Sequence, residues 1–182
     1  EMSGKINFAN GVNTSEAQST TITDIYLTPI KTIGGKKPNT LKYSTKNNFV
    51  YELKSSGNID TTRTPDKIFD NSIDMTSGCW HSPNASNQWL EIAFDKQTEI
   101  TKFSIQNRNA NLNIGNFYFQ ASNDELTWTT LETFNNPTDT ASIKTAYDVT
   151  YDYSTGGYKY YRWYAPYTGY VVIGEMEIKF IQ

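Results

Sequence analysis

Few residues of this chain could carry out covalent chemistry. It has one histidine, His81, and one cysteine, Cys79, two positions apart on a strand-like segment. Alternate residues of a strand share a face, so the two could meet. A thiol nucleophile, however, needs an oriented activating base, and no third member of such a set is evident. Glu175 and Glu177 also share one strand face, whereas a glycosidase needs two carboxylates opposed across a cleft at about 5–10 Å. A single Cys and a single His build neither an internal disulfide nor a Cys/His zinc site. The residue types therefore point away from catalysis. Two polar and aromatic runs remain, residues 107–116 with Arg108 and several Asn, and residues 164–170 with the turn Pro166-Tyr167-Thr168-Gly169-Tyr170.

β-Strands must position these residues. Leu90, Ile92 and Phe94 alternate with Glu91 and Ala93, and Phe103 and Ile105 with Ser104 and Gln106. Phe117, Phe119 and Ala121 alternate with Tyr118 and Gln120, and Met176, Ile178 and Phe180 with Glu175, Glu177 and Lys179. Each run offers one apolar face to a core and one polar face to water. Asn-Asp, Asn-Asn-Pro and Gly-Gly clusters between the runs supply turn chemistry, and no window holds a helical period. An all-β, antiparallel β-sandwich is expected from about residue 49 to 182. Residues 1–48 differ, being rich in Thr, Asn, Lys and Gly. They read as an extended or linker segment, with an edge strand over Ile22–Ile30 that stops at Pro29, and a turn at 34–39.

Composition narrows the partners. Of 182 residues, 56 are Asn, Ser or Thr, 19% are charged and 14% aromatic, with a net charge of −3. No basic cluster exceeds Lys36-Lys37, so a nucleic-acid footprint is missing. Apolar runs are a few residues long, against roughly 20 to cross a bilayer. The 164–170 turn lacks flanking Lys or Arg after Arg162, which disfavours a lipid surface. Trp80, Trp89, Trp128 and Trp163 are expected in the core, Cys79 as a small buried or semi-exposed thiol, and Arg162 as an inward or half-buried pairing residue.

Four ordered segments carry more than a β pattern. They are Thr64-Pro65-Asp66-Lys67-Ile68-Phe69-Asp70-Asn71 with Trp80-His81-Ser82; Gln88-Trp89-Leu90-Glu91-Ile92-Ala93-Phe94; Ile100 through Arg108 to Phe119-Gln120-Ala121-Ser122-Asn123-Asp124 and Trp128; and Lys159-Tyr160-Tyr161-Arg162-Trp163 with Gly174-Glu175-Met176-Glu177-Ile178. In this order they resemble the discoidin, or coagulation-factor type C, domain and the related family 32 carbohydrate-binding modules, over roughly residues 50–182. Asn71 stands where the family has Gly, and the Asp70–Trp80 spacing is longer than usual. The resemblance implies a galactose-binding-like jelly roll and a non-catalytic carbohydrate-binding role. It points to His81, Arg108, Asn109 and Asn111 as polar sugar contacts, with Tyr167 or Tyr170 as the stacking ring, since a sugar needs fixed donors and acceptors plus an aromatic against its C–H face. It also implies a structural calcium held by Asp70, Asp74, Thr76 and Glu175, oxygen donors of the kind calcium takes. A glycan partner and an extracellular, cell-surface or virion location follow. The alternative is a docking domain of an extracellular or virion assembly, such as a tail fibre or adhesin, associating through residues 1–48.

Overall fold

A computed structural model describes residues 22–25, 31–34, 41–44, 50–70, 72, 78–109, 113–136, 144–154 and 156–181. Twelve strands are formed: β1 (Ile22–Ile25), β2 (Lys31–Gly34), β3 (Leu41–Ser44), β4 (Val50–Ser55), β5 (Trp80–His81), β6 (Ala85–Gln106), β7 (Asn116–Ser122), β8 (Thr129–Asn135), β9 (Lys144–Asp148), β10 (Tyr158–Gly169), β11 (Val172–Ile173) and β12 (Glu175–Ile181). One 3-10 turn, Pro65–Phe69, precedes β5. The described chain is all-β, and every pairing is antiparallel.

β6 organises the architecture. Its 22 residues serve two layers. The first half lies between β4 and β10 in the order β2-β3-β4-β6-β10-β7-β8, and the second half pairs with β12 and β9. β1 closes the smaller layer as an edge strand on β12. The expected boundary at 48/49 falls between β3 and β4, which are themselves paired. Residues 1–21 lie outside the described residues, as do residues 35–39 of the turn expected at 34–39, whose Gly34 ends β2.

The alternating runs point inward as their pattern requires. Leu90, Ile92, Phe103, Ile105, Phe117, Phe119, Ile178 and Phe180 are all buried. Trp80 and Trp163 join them, but Trp89 and Trp128 do not: both are half-buried. Trp128 lies on the outer face, where the Arg162 guanidinium sits 4.0 Å from its ring centre and 4.9 Å from that of Tyr164. Arg162 also donates from Nε to Gln120 Oε1 at 2.7 Å. A flat guanidinium between two rings is well placed for cation–π attraction, and this explains why a Trp adjoining β8 stays outside.

Glu91 departs from its expected place in water. It is buried between β4 and β10, with Lys54 Nζ 3.2 Å from Oε1 and Glu125 also bonded to that lysine. Desolvation pushes the Glu91 carboxyl up to about 7. A central strand crowded by long neighbouring side chains is covered on both faces, whatever its alternation.

The Gly156-Gly157 pair shows two different needs for glycine. Gly156 has φ +88°, a left-handed conformation, while its missing Cβ would meet only Gln97 Oε1 at 3.8 Å. At Gly157 a Cβ would stand 2.1 Å from the Thr98 carbonyl oxygen. Gly156→Ala is therefore expected to lose ~1–2 kcal/mol through backbone conformation alone. Gly157→Ala is expected to lose at least about 2–3 kcal/mol, because the β6/β10 backbones must separate. Urea denaturation of the two variants measures the order, and a Gly157→Ala protein as stable as the parent would contradict the close approach.

Candidate functional site

At one end of the sandwich three chain segments are sewn around β5. β5 pairs with β11, Val172 opposite His81 and Ile173 opposite Trp80. The loop before the 3-10 turn is tied to β5 on the other side: His81 N donates to Arg63 O at 3.3 Å, and Ile59 N donates to His81 O at 2.8 Å. Trp80 Nε1 donates to Gly57 O at 3.1 Å. The chain after β10 is held by Ser82 N to Val171 O, 2.9 Å, and Val171 N to Ser82 Oγ, 2.8 Å. The chain after β6 is held by Gly174 N to Gln106 O, 2.9 Å, and Val172 N to Asn113 O, 3.3 Å. Loops this far apart in sequence meet because all of them leave strands at the same end of the fold.

His81 is the centre. It is 4% exposed, its Nδ1 lies 3.4 Å from Arg63 Nη1, and Tyr170 meets it edge-to-face with ring centres 5.1 Å apart and planes at 85°. Burial, then the charges of Arg63 and Arg108, hold its imidazole down at about 4, so it is neutral near pH 7. His81 Nε2 and Arg108 Nε are both buried without a hydrogen-bond partner among the described residues. Such groups are costly unless something pairs with them. Asn109 is half-buried next in the chain to Arg108, and Asn111 lies outside the described residues.

The two tyrosines separate. Tyr170 is 43% exposed and presents its ring beside His81. Tyr167 turns into the protein: it packs against the core, its hydroxyl donates to Ile114 O, and a Cβ on Gly115 would stand 3.1 Å from that hydroxyl. Its burial pushes the phenol up to about 12. Tyr170 is the ring left at the surface, and Tyr167 is the prop beneath the 113–115 turn. Arg63 escaped sequence reasoning. The Asp60-Thr61-Thr62-Arg63 turn signature was legible, but its approach to His81 depends on the β5 pairing.

The second candidate site lies at the start of β12. Asp70 Oδ1 and Glu175 Oε1 both accept from Ser72 N at 2.9 Å. Glu175 is 7% exposed, and desolvation, together with the neighbouring Asp70 carboxyl, pushes it up to about 8. Lys67 Nζ is 3.6 Å from Asp70 Oδ2. Asp74 and Thr76 lie outside the described residues, and among the described residues no cluster of three or more His, Cys, Asp or Glu is formed. Glu175 and Glu177 do not make the solvated pair that their spacing suggested: Glu175 is buried, and Glu177 pairs with Lys144 at 2.5 Å. Cys79 is buried, and desolvation pushes its thiol up, the environment of a structural rather than a reactive cysteine.

A doubly layered antiparallel sandwich with loops gathered at one end defines the class: a galactose-binding-like jelly roll. Residues 52–153 match the family model for the F5/8 type C domain, and the chain belongs to that family. Its fold is shared by CpGH89CBM32-5 from Clostridium perfringens, solved in complex with GalNAc-β-1,3-galactose (13% identity, 70% of this chain and 94% of that one, TM-score 0.55). It is shared by the family 32 module of C. perfringens NanJ, in complex with galactose (14%, 71% and 93%, 0.57). A fucolectin from striped bass (Morone saxatilis) serum is also similar (13%, 71% and 45%, 0.58). A search of curated proteins found no match. These comparisons give no support to the virion or adhesin alternative.

Proposed function

We propose that this domain is a non-catalytic glycan-binding module whose site is formed by His81, Arg108 and Tyr170, with Asn109 at its margin. The observation that carries this reading is the buried, unpartnered His81 Nε2 in a ring that meets the exposed Tyr170, with Arg108, whose own Nε is buried and unpartnered, near enough for its charge to act on that imidazole. Polar groups that converge next to an aromatic ring suit a pyranose, whose hydroxyls take hydrogen bonds and whose C–H face stacks. The galactose and GalNAc-β-1,3-galactose bound by two similar modules, and the similar fucolectin, support a sugar of that size. Single-site affinity is expected to be weak and to be raised by display of several copies. An extracellular or cell-surface setting fits such a partner. A glycan array followed by calorimetry tests the reading, and folded protein that binds nothing across diverse glycans would sink it.

Asp70 and Glu175 are proposed to hold a structural calcium ion. Two hard carboxylate oxygens of the kind calcium takes come together here, Asp70 Oδ1 and Glu175 Oε1 both accepting from Ser72 N, and they supply part of its roughly six to eight ligands. When bound, the cation supplies charge that lets both carboxylates ionise. Without calcium, Glu175 has a folded pKa near 8, above its ordinary 4.5. Its protonated form therefore stabilises the fold below about pH 4.5, and that contribution is lost as pH rises towards 8. The apo protein is expected to lose melting temperature as pH rises from about 4.5 to 8 and to level off above that, and millimolar calcium to restore it. Glu175→Gln should remove the calcium effect and flatten the Glu175 part of the profile, leaving the part due to Glu91. Identical melting with and without calcium across this range would refute the site.

A further inference from the structure

The geometry points to Arg63, anchored by Asp60, as the positioning residue that fixes His81 in its Nε2–H tautomer, so that the site presents donors and selects a sugar oxygen over an ammonium group. This rests on the glycan reading for the identity of the ligand, but not for the tautomer. A guanidinium has only N–H donors. With Arg63 Nη1 3.4 Å from His81 Nδ1, that nitrogen must offer its lone pair, and a neutral imidazole then carries its hydrogen on Nε2. The arrangement is held from behind. Asp60 Oδ1 accepts from Thr62 N at 2.8 Å, Thr62 Oγ1 at 2.8 Å and Arg63 N at 2.9 Å, while Oδ2 lies 3.5 Å from Arg63 Nε. The backbone bonds from His81 N to Arg63 O and from Ile59 N to His81 O lock loop and strand together.

The groups facing His81 are Asp60 and Arg63 from the preceding loop, Arg108 from the chain after β6, and the Tyr170 ring from the chain after β10. Two cations against one carboxylate oppose a third positive charge, and the low imidazole pKa supports the neutral form through the physiological range. Nε2–H and Arg108 Nε–H then both donate. A hydroxyl or acetamido oxygen satisfies them, whereas a free amine, protonated at neutral pH, brings only donors and like charge.

His81 is the sole histidine, so long-range 1H–15N correlation spectra of the untagged, full 15N-labelled chain report its two nitrogens without ambiguity. The expected wild-type result is a protonated Nε2 and a lone-pair Nδ1 from pH 6 to 8. Arg63→Met should mix the tautomers and raise the titration midpoint, and Arg63→Lys, which keeps a donor, should restore Nε2–H. A wild-type spectrum dominated by Nδ1–H, or an Arg63→Met spectrum unchanged from the parent, overturns the assignment. If Arg63→Met does not fold, the wild-type and Arg63→Lys spectra still decide it. The sugar arm compares N-acetylgalactosamine with galactosamine. At least about tenfold weaker binding of the amine is expected, and equal binding overturns the selectivity. If neither sugar binds, the glycan reading is what has failed, because the nitrogen spectrum stands apart from it.

Discussion

Arg108→Ala is expected to abolish measurable glycan binding while leaving the melting temperature nearly unchanged. A hydrogen bond to a charged group is worth about 1.5–3 kcal/mol, so each one lost weakens binding ~10- to 100-fold. For a site that starts weak, such a loss ends detection. The fold should tolerate the change because the Arg108 side chain is only half-buried and its Nε has no hydrogen-bond partner to strand. Tyr170→Ala should weaken binding through the lost stacking face without unfolding the domain, since that ring is exposed. Tyr167→Ala should do the reverse. Its ring supports the 113–115 turn, so the loss appears first as lower stability. Calorimetry paired with thermal melting separates the three. Full binding by Arg108→Ala would remove this residue from the site.

Phe103→Ala is expected to be the most damaging core substitution. This ring sits where the two layers of β6 meet, 5.0 Å from Phe119, 5.2 Å from Tyr147, 5.4 Å from Phe134 and Trp163, and 6.1 Å from Phe117. Removing it strands five aromatic neighbours around one cavity, and Phe→Ala changes of this kind cost about 3–5 kcal/mol. Domains of this size have only about 5–15 kcal/mol of stability, so the melting temperature should fall on the order of 10 °C. Phe103→Leu, which refills much of the space, should lose distinctly less. Leu126→Ala, at a side chain 86% exposed, should stay within about 0.5 kcal/mol of the parent. Equal melting of Phe103→Ala and Leu126→Ala would show that the core is not built around this ring.

The layer structure was legible because strand alternation is local. Phe117-Tyr118-Phe119-Gln120-Ala121 and Met176-Glu177-Ile178-Lys179-Phe180 each declare their inner face within five residues, and burial follows that face at every apolar position. Two of the exceptions share one cause. Glu91 and Trp128 were misplaced because their surroundings come from other strands: Lys54 across β4 and Glu125 beyond β7 cover the first, and Arg162 on β10 holds the second. A period of two says which way a side chain points, but not what lies over it.

The candidate site divides in the same way. Residue types alone excluded a Cys/His zinc site and an internal disulfide and pointed away from a catalytic dyad, and together with the ordered motifs they drew attention to His81, Arg108 and the 166–170 turn. Tertiary structure decided the rest. It turned Tyr167 inward and Tyr170 outward, brought Arg63 against an imidazole 18 positions further along, and buried Glu175 beside Asp70 across more than 100 residues. The physical reason is that strand pairing sets these distances, and β5 with β11, and β6 with β12, join segments that no local pattern connects. Scarce charge and single copies of His and Cys limit what this chain can do. Where its few polar nitrogens are buried determines what it can hold.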